Sequence, residues 1–158
     1  MSQKEYLKTP LGILKIKTTN NKLDKIKFFD PEKNFIFTNP SKPSKYYKYA
    51  KKFFLGNYVG NMENLPMNGT EFQKKVWKEI LLIPYGKTKT YSDIAVAIGK
   101  PTAVRAVANA CGRNNIAIFI PCHRVIGKNN IGGYKWGLDK KIWLLELEKK
   151  VNEHIYNN

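Results

Sequence analysis

Hydrophobic and polar positions alternate in two stretches near the start of the chain. Ile13, Leu14 and Ile16 sit among Lys15 and Lys17, and Leu23, Ile26 and Phe28 recur in the next stretch. A period near two predicts strands over residues 11–17 and 23–29. Asn20-Asn21 between them predicts a tight turn, and so an antiparallel pair. The period then lengthens. Within residues 41–55, Tyr46, Tyr47, Ala50, Phe53 and Phe54 recur at helical spacing, and Gly56-Asn57 supplies a stop. Pro40, Pro43 and Pro66 flank this segment. The pattern predicts a small α/β unit that ends in a linker over residues 61–68.

From Gly69 onward helical spacing dominates. Thr70 and Gln73 form a capping-box pattern ahead of Phe72, Val76, Trp77, Ile80 and Leu81. Pro84-Tyr85-Gly86 breaks that helix. Thr90 with Asp93 resembles a second cap, followed by Ile94, Ala95, Ile98 and Gly99. Pro101 suits the first turn of a further helix, predicted over residues 102–111. The two short helices predict a helix-turn-helix. The second is mostly Ala and Val, with Arg105 and Asn109 as its polar members. Such a surface allows close approach to DNA but reads little sequence, which suits a minor-groove contact. A small-residue helix packed in a core satisfies the same periodicity equally well. A last helix is predicted over residues 139–151 from Ile142, Trp143, Leu145 and Val151, with residues 151–158 as a frayed tail. His154 in that tail receives no role.

Charge changes the picture of partners rather than of fold. The 158 residues carry 28 Lys and Arg against 12 Asp and Glu, a net charge of +16, which favours a polyanion. A hydrophobic content of 42% supports a packed core. No apolar stretch reaches spanning length and the first residues have no signal-peptide character, so no membrane role and a cytoplasmic setting (nuclear in a eukaryote) are expected. Cys111 and Cys122 do not make a disulfide framework, and with His123 and His154 they show no paired ligand spacing. No metal and no cofactor are expected.

The candidate chemistry lies at Pro121-Cys122-His123-Arg124-Val125, entered from the apolar run Ile116-Ala117-Ile118-Phe119-Ile120. A thiol attacks as thiolate, and a neighbouring base is what removes its proton. Taken alone, Cys122 also fits a buried structural cysteine. Other motifs accompany it: Gly69-Thr70-Glu71-Phe72-Gln73 with Val76-Trp77, Ile83-Pro84-Tyr85-Gly86-Lys87-Thr88, Thr90-Tyr91, and Gly99-Lys100-Pro101-Thr102-Ala103-Val104-Arg105-Ala106-Val107. Asn114, Gly133-Tyr134, and Leu144-Leu145 ahead of Glu148 complete the set. In this order and spacing the chain resembles the O6-alkylguanine-DNA alkyltransferases over residues 69–148.

The resemblance implies an α+β (or α/β) fold. It would comprise a small N-terminal α/β domain (1–68) with a ribonuclease-H-like antiparallel sheet. A mainly helical C-terminal domain (69–158) would carry a winged-helix-like helix-turn-helix. It implies direct reversal of DNA damage: O6-alkylguanine, chiefly O6-methylguanine and also O4-methylthymine, would be flipped from duplex DNA and its alkyl group moved irreversibly to Cys122. A monomer acting once on double-stranded DNA is expected. His123 would take the thiol proton through a water, Asn114 would orient the thiol end, and Glu148 would orient the imidazole. Tyr91 would donate to the flipped guanine, and Arg105 would fill the space it leaves. Thr102, Ala103, Ala106 and Asn109 would face DNA alongside Arg105 and Tyr91. Val125, Tyr134, Lys135, Trp136 and Lys141 would form the substrate pocket, with Trp136 narrowing it in favour of methyl adducts. Arg124 is expected to hold a turn. Some members of that family carry a structural zinc in the N-terminal part, but this chain has no Cys or His before Cys111. A non-catalytic lesion-binding protein is the alternative, opposed by the presence of Cys122. A helix-turn-helix regulator is a third reading, opposed by the Ala- and Val-rich second helix.

Overall fold

The computed structural model of the chain describes residues 1–57 and 60–157, and it divides into two compact units. The first comprises Met1–Pro66 with Asn115–Ala117; the second comprises Met67–Asn114 and Ile118–Asn158.

The first unit is a three-stranded antiparallel sheet in the order β1 (Ser2–Thr9), β2 (Gly12–Thr19), β3 (Lys22–Phe29), followed by α1 (Lys45–Phe54). Asn20 and Asn21 both adopt positive φ, +51° and +62°, which is the type I′ geometry that matches strand twist. One sheet face buries Leu7, Leu14, Ile16, Leu23 and Ile26, and Tyr46, Tyr47, Ala50, Phe53 and Phe54 of α1 are buried in the same unit. Main-chain bonds from Ile26 N–H to Asn115 O (3.0 Å) and from Ala117 N–H to Ile26 O (2.9 Å) tie residues 115–117 to β3. Strand β1 was not predicted. One of its inward positions is Glu5, 2% exposed, which hides the alternation. Its carboxylate accepts the Ser44 N–H (2.7 Å) and the Ser44 hydroxyl, so it fixes the N-cap of α1.

The second unit is mainly helical: α2 (Glu71–Leu81), β4 (Lys89–Thr90), α3 (Tyr91–Ala97), α4 (Val104–Gly112), β5 (Val125–Ile126) and α5 (Leu138–Asn157). Strands β4 and β5 pair in parallel. Both capping boxes form, at Thr70 and Gln73 and at Thr90 and Asp93. Helix α3 ends in a Schellman motif: Gly99 lies at φ +76°, its N–H bonds Val96 O, and Lys100 N–H bonds Ala95 O. Trp77 Nε1 of α2 donates to Ala110 O of α4 at 2.9 Å.

Two boundaries and one helix face differ from expectation. Helix α4 begins at Val104, because Pro101-Thr102 forms a turn and Ala103 is its cap. Helix α5 continues to Asn157, so no frayed tail begins at Val151; Asn158 lies outside the described residues. Ile142, expected on the apolar face of α5, is 44% exposed, while Lys141, Leu144 and Glu148 are buried. Among the described residues no helix is long and apolar enough to cross a membrane.

Candidate active site

The chain reaches Cys122 through a strained loop rather than a strand. Ile118 is buried and has φ +61°, a conformation that a β-branched residue adopts only when its surroundings enforce it. Pro121 then closes an inverse γ-turn (φ −81°, ψ 64°) in which Cys122 N–H bonds Ile120 O at 2.8 Å. Asn114 Nδ2 donates to the same Ile120 carbonyl at 2.9 Å, and its side chain also bonds the Cys122 thiol. Asn114 therefore fixes both the turn and the sulfur. Residues Cys122–Arg124 form a single 3₁₀ turn that leads into β5.

That turn aims two neighbouring side chains at one carboxylate. His123 Nε2 bonds Glu148 Oε2, while Arg124 Nε donates to Glu148 Oε1 at 2.7 Å and Gly86 N–H donates to the same oxygen at 3.1 Å. Arg124 Nη1 also bonds Ile83 O at 3.0 Å, and its guanidinium lies 5.4 Å from the Tyr85 ring centre. Burial pushes the Glu148 carboxyl up, but the charges and hydrogen bonds of His123 and Arg124 outweigh it and bring the pKa to about 2. An ionised carboxylate only accepts hydrogen bonds. His123 Nε2 therefore carries the hydrogen, and Nδ1 is the ring nitrogen able to take a proton. Burial lowers the His123 pKa, against the opposing pull of Glu148, so the resting imidazole is neutral. Burial also raises the Cys122 pKa well above its ordinary value.

Cys122 lines a cavity of about 270 Å³ with Tyr91, Ala108, Cys111, Gly112, Gly133, Tyr134 and Lys135. Lys141 crosses behind it. Its ammonium donates to Val125 O at 2.6 Å and to Gly133 O at 2.8 Å, and approaches the Tyr91 hydroxyl at 3.5 Å. Burial lowers the Lys141 pKa to about 8 against the pull of Cys111 and Cys122, and its charge favours the Cys122 thiolate. Tyr91 reaches Gly133 O at 3.5 Å, and burial raises its pKa, so the phenol keeps its proton. Gly132 makes this approach feasible: it has φ +73°, and a Cβ there would come within 2.5 Å of the Tyr91 hydroxyl.

The remaining expected residues divide into three groups. Thr102, Arg105, Ala106 and Asn109 are exposed on and just before α4, with Ala103 half-buried, while Val107, Ala110 and Cys111 face inward. Lys135 lines the cavity and bonds Asn114 O through Nζ at 3.0 Å. Trp136 does not line the cavity. Its ring packs 5.4 Å from that of Tyr134, which lies 6.5 Å from His123, so Trp136 stands one residue removed from the pocket wall. Cys111 was missed. It lines the cavity from α4 and is a hydrogen-bonding neighbour of Cys122. Its place at the inward spacing of α4, four residues after Val107, was the available signal. Among the described residues no group of three or more His, Cys, Asp or Glu could hold a metal ion.

Residues 71–150 match a family model described as the DNA-binding domain of 6-O-methylguanine DNA methyltransferase. The chain is 53% identical over 150 residues to a probable methylated-DNA–protein-cysteine methyltransferase of Acanthamoeba polyphaga mimivirus, covering 92% of this chain and 96% of that protein. It is similar to the crystal structure of the Mycobacterium tuberculosis O6-methylguanine methyltransferase, with a TM-score of 0.81, 37% identity, and coverage of 95% and 94% of the two chains. A Mycobacterium tuberculosis OGT in complex with DNA aligns with a TM-score of 0.82 at 37% identity, over 94% of this chain and 93% of that one.

Proposed function

The chain belongs to the O6-methylguanine-DNA methyltransferase family, and from that premise we propose that it repairs DNA by moving an alkyl group from guanine O6 to Cys122. The observation that carries this reading is the clamp on His123. A buried neutral imidazole, held through Nε2 by an ionised Glu148, belongs to the residue directly after a thiol that opens on a cavity.

The proton inventory supports the sequence of steps. At rest the thiol and the imidazole are both neutral. When an alkylated guanine fills the cavity, the thiol proton passes to His123 through an intervening water. Glu148 compensates the imidazolium charge without accepting the proton. The thiolate attacks the alkyl carbon, an S–C bond forms, and the bond from carbon to O6 breaks. The electron pair left on the guanine is met by the Tyr91 hydroxyl proton, guanine leaves as the normal base, and the proton held on His123 returns through water to the Tyr91 phenolate. Lys141 stabilises the thiolate by its charge and orders the carbonyls of Val125 and Gly133. The thioether does not reverse, so each molecule acts once.

The base must leave the duplex to reach a thiol this buried. Arg105, exposed on α4, is suited to enter the space left in the stack, while Thr102, Ala103, Ala106 and Asn109 present small or polar groups to the backbone. Duplex DNA is the partner, O6-methylguanine the chief substrate and O4-methylthymine a second, and the acting species is a monomer. Intact mass after incubation with a duplex carrying O6-methylguanine tests the reaction. We expect wild type to gain one methylene and Cys122→Ser to gain none. Tight binding of the duplex with no gain in wild type would instead indicate a lesion-binding protein.

A further inference from the structure

Three adjacent cross-strand rows on the sheet face turned away from the first unit's core hold nine residues. Lys4, Lys17 and Lys25 form one row, Tyr6, Lys15 and Lys27 the next, and Lys8, Ile13 and Phe29 the third. Six of the nine are lysines and none is acidic. Lys4, Lys8, Lys25 and Lys27 are exposed, and Lys15 and Lys17 are half-buried. Like charges placed directly opposite one another on a sheet are destabilising, yet two rows pair lysine with lysine. The nearest acid in the strands, Asp24 at the β-bulge, is engaged by the Thr19 hydroxyl at 2.6 Å. Asp30 and Glu32 lie beyond the strand end and are exposed.

Aromatic rings order the second and third rows. Tyr6, Phe29 and Phe35 pack against one another in tilted and edge-to-face arrangements, with centroids 4.8 to 5.3 Å apart. Lys15 Nζ lies 5.0 Å from the Phe29 centre and 5.9 Å from that of Tyr6, and Lys8 Nζ lies 4.5 Å from that of Phe37. The rings hold cations in place rather than offering open faces for bases. Along each strand same-face residues repeat every ~7 Å. The result is a regular lattice of point charges.

We propose that this face is a second nucleic-acid contact, which binds the phosphate backbone of duplex DNA without regard to lesion or sequence. Lysine supplies charge without a fixed bonding geometry, which matches a uniform polyanion better than the irregular acids of a protein surface. A membrane surface suits it less, because none of the nine is an exposed large apolar residue that could insert. The contact rests on the reading that the chain acts on DNA. Its consequence is longer residence on undamaged duplex during search, independent of the cavity chemistry.

The test is the salt dependence of full-length protein binding to undamaged duplex. One variant carries Lys4→Gln, Lys17→Gln, Lys25→Gln and Lys27→Gln. A control removes the same charge from exposed α1 positions, with Lys45→Gln, Lys48→Gln, Lys51→Gln and Lys52→Gln. Each lost phosphate contact lowers the slope of log K against log salt by about 0.9. We expect the sheet variant to lose about 3.6 from the slope if all four contact phosphate, and the α1 variant less than about 1. Both variants should transfer alkyl from free O6-benzylguanine at the wild-type rate. An equal fall in both variants, reflecting net charge alone, overturns the proposal. So does an unchanged slope in the sheet variant, including one that instead loses binding to phosphatidylserine vesicles. The slope is read on undamaged DNA, so a failure of alkyl transfer would appear separately, in the free-base assay.

Discussion

Each unit buries one glutamate, and the two do different work. Glu5 is 2% exposed and Glu148 1%. Glu5 is satisfied by two bonds from Ser44 and has no ion-pair partner among the described residues, so it fixes where α1 begins. Glu148 is satisfied by His123, Arg124 and the Gly86 amide, so it fixes which nitrogen of an imidazole can take a proton. Burial is common to both. The function lies in the partner: a serine cap can only be held still, whereas a histidine beside a thiol can be held still and still move a proton.

The largest separation between the two is expected from matched amide substitutions. In Glu148→Gln the amide can let His123 Nε2 become an acceptor and put the hydrogen on Nδ1, the wrong tautomer. We expect alkyl transfer to fall by about three orders of magnitude. Leaving Arg124 buried beside a neutral group should also cost about 3 kcal/mol of stability. Glu5→Gln should cost about 1–3 kcal/mol and leave transfer from free O6-benzylguanine unchanged. Single-turnover rates and denaturant midpoints check both. A loss of transfer in Glu5→Gln matching that in Glu148→Gln would erase the distinction.

Acid should separate them next. The Glu148 pKa is lowered from 4.5 to about 2, so its contribution is fully present above 4.5 and is lost as the pH falls toward about 2. The His123 pKa is lowered from 6.5, so the unfolded chain takes that proton more readily and stability also falls as the pH drops below 6.5. The fold should therefore weaken in two windows on acidification, with Glu148 supplying on the order of 2–3 kcal/mol. Stability of Glu148→Gln measured against pH should lack the lower window, while Glu5→Gln should keep it.

These buried charges also explain what was legible in the sequence. Strands β2 and β3, the Asn20-Asn21 turn, both capping boxes, and the Cys122-His123 pair could be read because apolar spacing and cap residues there agree with the fold. Strand β1 could not, because Glu5 occupies an inward position. The inward stripe of α5 was misread for the same reason: Lys141 and Glu148 are buried where Ile142 is exposed. A charged residue on a core face breaks the hydrophobic period, and only its partners reveal why it is there. In Glu148 and Lys141 the break marked the site, as local conflicts of this kind often do. In Glu5 it marked only a cap.

Two smaller effects are expected in and beside the cavity. Cys111 is the neighbour that most raises the Cys122 pKa after burial itself. Cys111→Ala should therefore shift the pH dependence of Cys122 alkylation by iodoacetamide to lower pH, with a few-fold gain in rate at neutral pH and a stability cost of about 1 kcal/mol. Trp136 contacts Tyr134 and does not line the cavity. Trp136→Gly should change the ratio of benzyl to methyl transfer rates little, and a large rise in that ratio would return Trp136 to the pocket wall.

Cys111 and Cys122 open on the same cavity, but only Cys122 is followed directly in the chain by the clamped imidazole of His123. Tandem mass spectrometry of peptides, after one turnover with a duplex carrying O6-methylguanine, locates the transferred group directly. We expect a methyl thioether on Cys122 and an unmodified Cys111. A methyl group on Cys111, or repaired guanine with neither cysteine modified, would contradict transfer to Cys122.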